Sequence, residues 1–148
     1  MVADPDTARA VATLVAGDQF VLNRLLLDAL RAEVGDQLAI VATELNWPLE
    51  PFGPVAEVKE AAGSEELLLG LISDIEIAVT EMAPFTERVI AAADALRLIV
   101  VCRGGPVNVN LAAATERGIP VCYTPARNAA ATAEYTIGLL LAAMRAGV

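Results

Sequence analysis

Arg103-Gly104-Gly105-Pro106 is the stretch of this chain best suited to chemistry. It follows the apolar run "LRLIVVC" and leads toward a helical stretch at 111–117. Successive N–H groups of a glycine-rich turn form a concavity that takes an anion, and glycine lets a ligand come close to the backbone. Pro106 lacks an N–H, so the donors must be the amides around it. The same residues also make an ordinary strand-to-helix turn, and residue type alone leaves both readings open.

Other side chains are informative by type. Asn128 opens the last helical stretch, where asparagine is a favoured N-cap. Arg127 beside it either attracts an acidic ligand or sits in solvent. Trp47, the only tryptophan, either lines a pocket or packs a lid. Cys102 and Cys122 lie in apolar runs, which predicts two buried, reduced thiols rather than a disulfide or a metal site. The chain has no histidine. The commonest general acid–base, triad base and metal ligand are thus missing together, and no catalytic residue and no metal ligand is assigned.

Five apolar, strand-like runs carry these residues, at 9–17, 37–45, 75–80, 96–102 and 119–124. Between the first two, Val21, Leu25, Leu26, Leu30 and Val34 recur at helical spacing over 20–34. A Pro/Gly-punctuated connection, 46–63, precedes a helix for which Ser64 is the expected N-cap, with Glu65 and Glu66 in its first turn. Thr86 caps the next helix, Gly118 stops the one at 111–117, and a long helix runs from 128 to 145 with Gly147 as its C-cap residue. Strands alternating with helices predict an α/β fold with a parallel sheet between two helical layers. Five such units with right-handed crossovers predict a flavodoxin-like sheet of order 2-1-3-4-5. Ligands of such sheets sit at the carboxyl ends of the strands, which is where Gly17-Asp18, Leu45 to Trp47, Thr80 to Ala83, Arg103 to Gly105 and Thr124 to Asn128 fall.

At 148 residues the chain suits one compact unit. Its net charge of −9, with a single lysine and scattered arginines, argues against nucleic acid. No charge-free run approaches the roughly 18–20 residues of a membrane span. The start, "MVADPDTARA", has acids and no apolar h-region, so no secretory signal is expected and the cytoplasm is the expected compartment. The last helix is small or apolar nearly all round, with only Glu134 and Arg145 charged, which predicts burial on more than one side.

The segment 75–145, and more loosely the whole chain, resembles the D-isomer-specific 2-hydroxyacid dehydrogenases, the group containing phosphoglycerate dehydrogenase. The resemblance is carried by "NLAAATERGIPV", "YTPARN" and "ATAEYTIGLLLAAMR", in that order and spacing, with "NWPLEPFGPVAEV" as a further match. It implies a substrate lobe over 1–127 and a connecting helix over 128–148 leading to a Rossmann lobe for NAD or NADP that this sequence does not contain, since no G-x-G-x-x-G occurs. The family's catalytic arginine, glutamate and histidine belong to that other lobe. The resemblance makes Arg103, Gly104 and Gly105 the holders of a substrate carboxylate, in a turn shorter than the family's usual one. Thr80 and Glu81 stand where phosphoglycerate dehydrogenases carry an arginine and a serine for the far end of the substrate. A glutamate repels a phosphate, so a non-phosphorylated, hydroxylated or cationic substrate is expected; the alternative for Glu81 is a solvated loop acid. Asn128 is implied to face substrate and nicotinamide. Thr132 is implied to contact NAD, or else to be a helix-surface hydroxyl, and Ala83 replaces a cofactor-contacting threonine.

The expected function is therefore the substrate-binding portion of an NAD(P)-dependent D-2-hydroxyacid dehydrogenase acting on a small 2-hydroxy or 2-oxo acid, inactive alone and dimeric through its last helix. The alternative is a stand-alone carboxylate-binding or dimerisation module. A receiver domain is excluded because Asp18 stands alone, and the third and fifth strands end at Thr80 and Thr124. A flavodoxin is excluded because "AGDQFV" lacks a hydroxyl-rich phosphate loop.

Overall fold

The computed structural model describes residues 9–146. Residues 1–8, most of the acidic start, and Gly147, the expected C-cap, lie outside the described residues. The strands are β1 (Val11–Gly17), β2 (Leu38–Glu44), β3 (Gly53–Val55), β4 (Val58–Ala61), β5 (Ile77–Thr80), β6 (Leu98–Val101) and β7 (Val121–Tyr123). The helices are α1 (Asn23–Val34), α2 (Glu65–Leu69), α3 (Glu87–Ala92), α4 (Leu111–Glu116) and α5 (Ala129–Ala146). The main sheet is parallel, in the order β2-β1-β5-β6-β7. With the hairpin β3–β4 set aside, this is the expected 2-1-3-4-5.

Register decides where the polar residues emerge. Ala16 pairs with Thr43 on one side and Thr80 on the other, Thr80 pairs with Val101, and Val101 with Tyr123. Those residues form one row across the sheet. Asp18, Glu81, Arg103 and Thr124 therefore leave the sheet along a single edge. Thr80 holds the row together. It is fully buried, its Oγ1 donates to Ala16 O at 3.0 Å and accepts from Ala83 N at 2.9 Å.

Side chains alternate between two cores, as a strand requires. Leu14 and Ala16 face a large cluster with Leu68, Ile72, Phe85, Val89, Ile90 and Ile99. Val15 and Val79 face a small one closed by Leu26 of α1. On that second face Ile77, Val100 and Cys102 are only partly buried. Here the expectation of two buried thiols fails: both cysteines are free, but Cys102 is half-buried and Cys122 is exposed. Cys122 pairs with Val100 on the edge strand β7, beyond the cover of α1.

Local signals act as anticipated at the helix starts. Ser64 Oγ accepts from Leu67 N, and Thr86 Oγ1 accepts from Val89 N. Asn110 Oδ1 accepts from Ala113 N in the same way at α4. Helix α1 begins at Asn23 rather than near residue 20. The Asn23 side chain accepts from Gly17 N at 2.8 Å and donates to Thr43 O at 2.8 Å, tying β1, β2 and α1 together. A Cβ at Gly17 would stand 2.7 Å from Asn23 Oδ1, so only glycine fits.

The connection 46–63 holds the unforeseen hairpin β3–β4, which turns through Ala56 at φ 47°. Helix α5 has no buried residue. Ile137, Leu139, Leu140, Leu141 and Met144 are all more than half exposed. No helix among the described residues is long and apolar enough to cross a membrane.

Thr80→Val removes both hydroxyl bonds without changing shape and strands the Ala83 N–H. A loss of about 1–3 kcal/mol is expected in urea denaturation.

Candidate functional site

The row of strand ends opens onto a cleft of about 430 Å³. Its floor is the Arg103-Gly104-Gly105 turn, with Glu81 and Asn128 on one side and Glu60 of β4 on another. Phe20 and Trp47 form an aromatic wall, with ring centroids 5.0 Å apart; Phe52 packs edge-on against Trp47 at 5.6 Å. Trp47 both lines the cleft and packs against the large core.

The turn is anchored at both ends. Arg103 O accepts from Thr124 N at 3.0 Å, Gly105 O accepts from Val107 N at 3.0 Å, and Pro106 O accepts from Val109 N at 3.1 Å. The buried Asn108 donates from Nδ2 to Ala83 O at 2.8 Å, locking the turn to the loop after β5. Among the described residues, the Gly104 and Gly105 N–H groups donate to no protein acceptor. Helix α4 begins only at Leu111. The donors the turn offers are therefore its own amides and not a helix N-terminus.

Two ion pairs flank the turn. Arg103 Nη2 meets Glu60 Oε2 at 2.7 Å, and its Nη1 lies 2.9 Å from Met82 Sδ. Arg127 Nη2 meets Glu81 Oε1 at 2.6 Å. Glu81 is buried while Arg127 is partly open to solvent. Burial pushes the Glu81 carboxyl above its ordinary range; the Arg127 guanidinium works against that, Asp18 adds to it, and Arg103 opposes it. Burial also pushes the Cys102 thiol up, and the nearby Glu81 charge adds to the shift. Cys102 is thus a protonated, weakly reactive thiol.

The expected site residues separate into two groups. Arg103, Gly104, Gly105, Glu81 and Asn128 line one cleft, together with Arg127 and Trp47. Thr80 and Thr132 do not line it. The Thr80 hydroxyl is engaged inside the sheet. Thr132 lies on exposed α5, its N–H bonded to Asn128 O at 2.9 Å, which puts Asn128 at the N-cap position. Glu60 and Phe20 enter the site without having been singled out. Glu60 comes from the hairpin, whose strands are too short to show alternation.

A dinucleotide does not fit the turns present. None carries G-x-G-x-x-G, and at the first strand-to-helix turn the Gly17 N–H is taken by Asn23 Oδ1, with no room for a phosphate between them. The cleft has no built pyrophosphate site.

The pattern described as "D-isomer specific 2-hydroxyacid dehydrogenase, catalytic domain" matches residues 48–145. The chain belongs to that family. It is 49% identical over 67 residues to the YoaD protein of Bacillus subtilis (strain 168), itself named as a 2-hydroxyacid dehydrogenase; the match spans 45% of this chain and 20% of that one. It is 31% identical over 116 residues to a hydroxypyruvate reductase of Thermotoga maritima, spanning 78% of this chain and 37% of that one. In three dimensions it resembles the NAD+-bound 3-phosphoglycerate dehydrogenase of Entamoeba histolytica, with a TM-score of 0.61 at 17% identity over 88% of this chain and 38% of that one. At that identity the likeness concerns the fold. The chain spans between a fifth and two fifths of the dehydrogenases it matches.

The raised Glu81 carboxyl makes a signed prediction. A native pKa above the unfolded value stabilises the fold fully below the unfolded value, 4.5, and that contribution is lost as pH rises through the native value. Glu81→Gln removes the titration. Its stability relative to the unchanged chain should therefore improve as pH is raised from 4.5 toward neutrality, by about 1.4 kcal/mol for each unit of separation between the two pKa values. Urea denaturation across that range measures it, and a pH-independent difference would contradict it.

Proposed function

We propose that this chain is the substrate-binding portion of an NAD(P)-dependent D-2-hydroxyacid dehydrogenase. Residues 1–127 form the substrate lobe and 128–148 the connecting helix. The observation that carries the reading is the pair of unengaged amides at Gly104 and Gly105, set between two guanidinium groups at the carboxyl edge of the sheet. A carboxylate seated there takes two backbone donors at once, and Arg103 and Arg127 lower its cost of desolvation. Asn128 faces the same space and can donate to a C2 oxygen. Glu81, buried beside the cleft, disfavours a phosphate, so the ligand is a small, non-phosphorylated 2-hydroxy or 2-oxo acid.

Binding and orientation are what these residues supply. A nicotinamide cofactor would exchange hydride with C2 in the complete enzyme. This chain has neither a histidine to move the hydroxyl proton nor a dinucleotide turn, so turnover depends on groups it does not carry. A second reading, a carboxylate-binding module that never catalyses, is favoured by the completeness of the turn within this one chain. The coding sequence beyond Val148 separates the two: an in-frame G-x-G-x-x-G supports the enzyme, and a stop codon supports the module.

Helix α5 is read as the partner-facing element. Leu140 and Met144, one turn apart, are 60% and 70% exposed, and a second copy of the helix would cover them. The chain should sediment as a dimer at micromolar concentration, and Leu140→Lys with Met144→Lys should shift it to a monomer with secondary structure intact.

The carboxylate site is tested at Gly104. A Cβ there meets nothing within 4 Å, so Gly104→Ala folds normally but crowds the anion. Titration with D-lactate, followed by Trp47 fluorescence, should show affinity falling about tenfold or more, the size of one charge-assisted hydrogen bond. The unchanged chain mixed with NADH and 2-oxo acids should bind the acids and oxidise no NADH. Turnover by this chain alone would sink the division of labour.

A further inference from the structure

The carboxyl edge of the sheet buries more negative charge than holding a carboxylate requires. Because Ala16 pairs with Thr80, Asp18 and Glu81 leave neighbouring strands within two residues of that pair. Both are buried. Asp18 Oδ1 accepts from Phe20 N at 2.8 Å and Val21 N at 2.7 Å, and Glu81 Oε1 accepts from Arg127. The other oxygen of each, Asp18 Oδ2 and Glu81 Oε2, is buried with no hydrogen-bond partner among the described residues. An unsatisfied buried acceptor is costly, and more so when charged. Glu81 lines the cleft that contains the free Gly104 and Gly105 amides.

Charge points the same way. Asp18, Glu60 and Glu81 face Arg103 and Arg127, three acids against two bases. A ligand carboxylate makes it four against two. A hydroxyl on the ligand could donate to Glu81 Oε2 but would leave the imbalance. A phosphate would deepen it. A protonated amine both donates and cancels the charge of the ligand's own carboxylate, returning the site to three acids against two bases.

We propose that Glu81 selects a 2-hydroxy or 2-oxo acid that carries a protonated amine beyond C2, its ammonium donating to Glu81 Oε2 while its carboxylate rests on Gly104 and Gly105. This rests on the carboxylate-site reading above and adds the class of substrate. Glu81 is then a specificity-determining residue, and the orphaned oxygen is the feature that reads the ligand.

Four acids that differ only at C3 test it: D-lactate, D-glycerate, D-isoserine (3-amino-2-hydroxypropanoate) and D-3-phosphoglycerate. Each is titrated into the full chain near neutral pH and followed by Trp47 fluorescence. Isoserine should bind about tenfold or more tighter than lactate, the worth of a hydrogen bond to a buried charge, with glycerate between and phosphoglycerate weakest. In Glu81→Gln the ratio of isoserine to lactate affinity should shrink to about threefold or less. Isoserine binding no tighter than lactate, or glycerate binding tighter than isoserine, overturns the proposal. So does an unchanged ratio in the variant. The ranking on the unchanged chain stands whether or not the variant folds. Failure of the underlying site looks different: none of the four acids binds, or all bind equally well to Gly104→Ala.

Discussion

The strand register at Ala16, Thr80 and Val101 is the constraint on which the rest depends. A parallel sheet can gather residues distant in sequence only if its strands end in step. Thr80 enforces that step with one hydroxyl, donating across to Ala16 O and accepting from Ala83 N in its own loop. In β1 and β5, a slip of one residue would turn every inward side chain outward, which the two separate cores around Leu14 and Val15 forbid. Positioning of Glu81 and Arg103 thus follows from hydrophobic alternation. The cleft residues themselves contribute little to it.

Once the strand ends are aligned, the edge must satisfy backbone groups and charges together. Most of the loop backbone is bonded within the chain: Asn108 holds the β5 loop, Thr124 holds Arg103, and Lys59 of the hairpin donates to Val107 O at 3.1 Å. Three buried side-chain oxygens among the described residues have no partner: Asp18 Oδ2, Glu81 Oε2 and Asn108 Oδ1. Natural structures seldom leave such atoms unpaired. Of these three residues Glu81 alone lines the cleft, together with Gly104 and Gly105, whose N–H groups donate to no protein acceptor. Each of the paired arginines also keeps guanidinium donors in reserve beyond the one its glutamate occupies.

Much of this was legible in the residues. The five strands and the caps at Ser64 and Thr86 followed from local patterning, and the strand order from the right-handed crossovers that join successive parallel strands. At Arg103 to Gly105 residue type left two readings open, an anion-holding turn and an ordinary strand-to-helix turn; what the structure adds is that the Gly104 and Gly105 N–H groups donate to no protein acceptor. The hairpin was not, since strands of three and four residues carry no usable alternation and the turn passes through Ala56 instead of a glycine. Glu60 was missed with it. Cys122 misled because an apolar run reads as buried on both faces, while its strand lies at the sheet edge, where α1 does not reach. Thr80 and Thr132 were placed by resemblance, which transfers position along the chain but not the direction of a side chain.

The same contrast separates α5 from the rest. Up to Arg127 the chain is tied to its own core, and the Arg127–Glu81 pair is the last strong link before the helix. Beyond it, eighteen residues expose their apolar side chains with none buried. An amphipathic helix would have declared one face for the sheet and one for water. A helix apolar nearly all round makes no such division, and its nearest side-chain tie to the rest of the fold is the Arg127–Glu81 pair at the rim of the cleft.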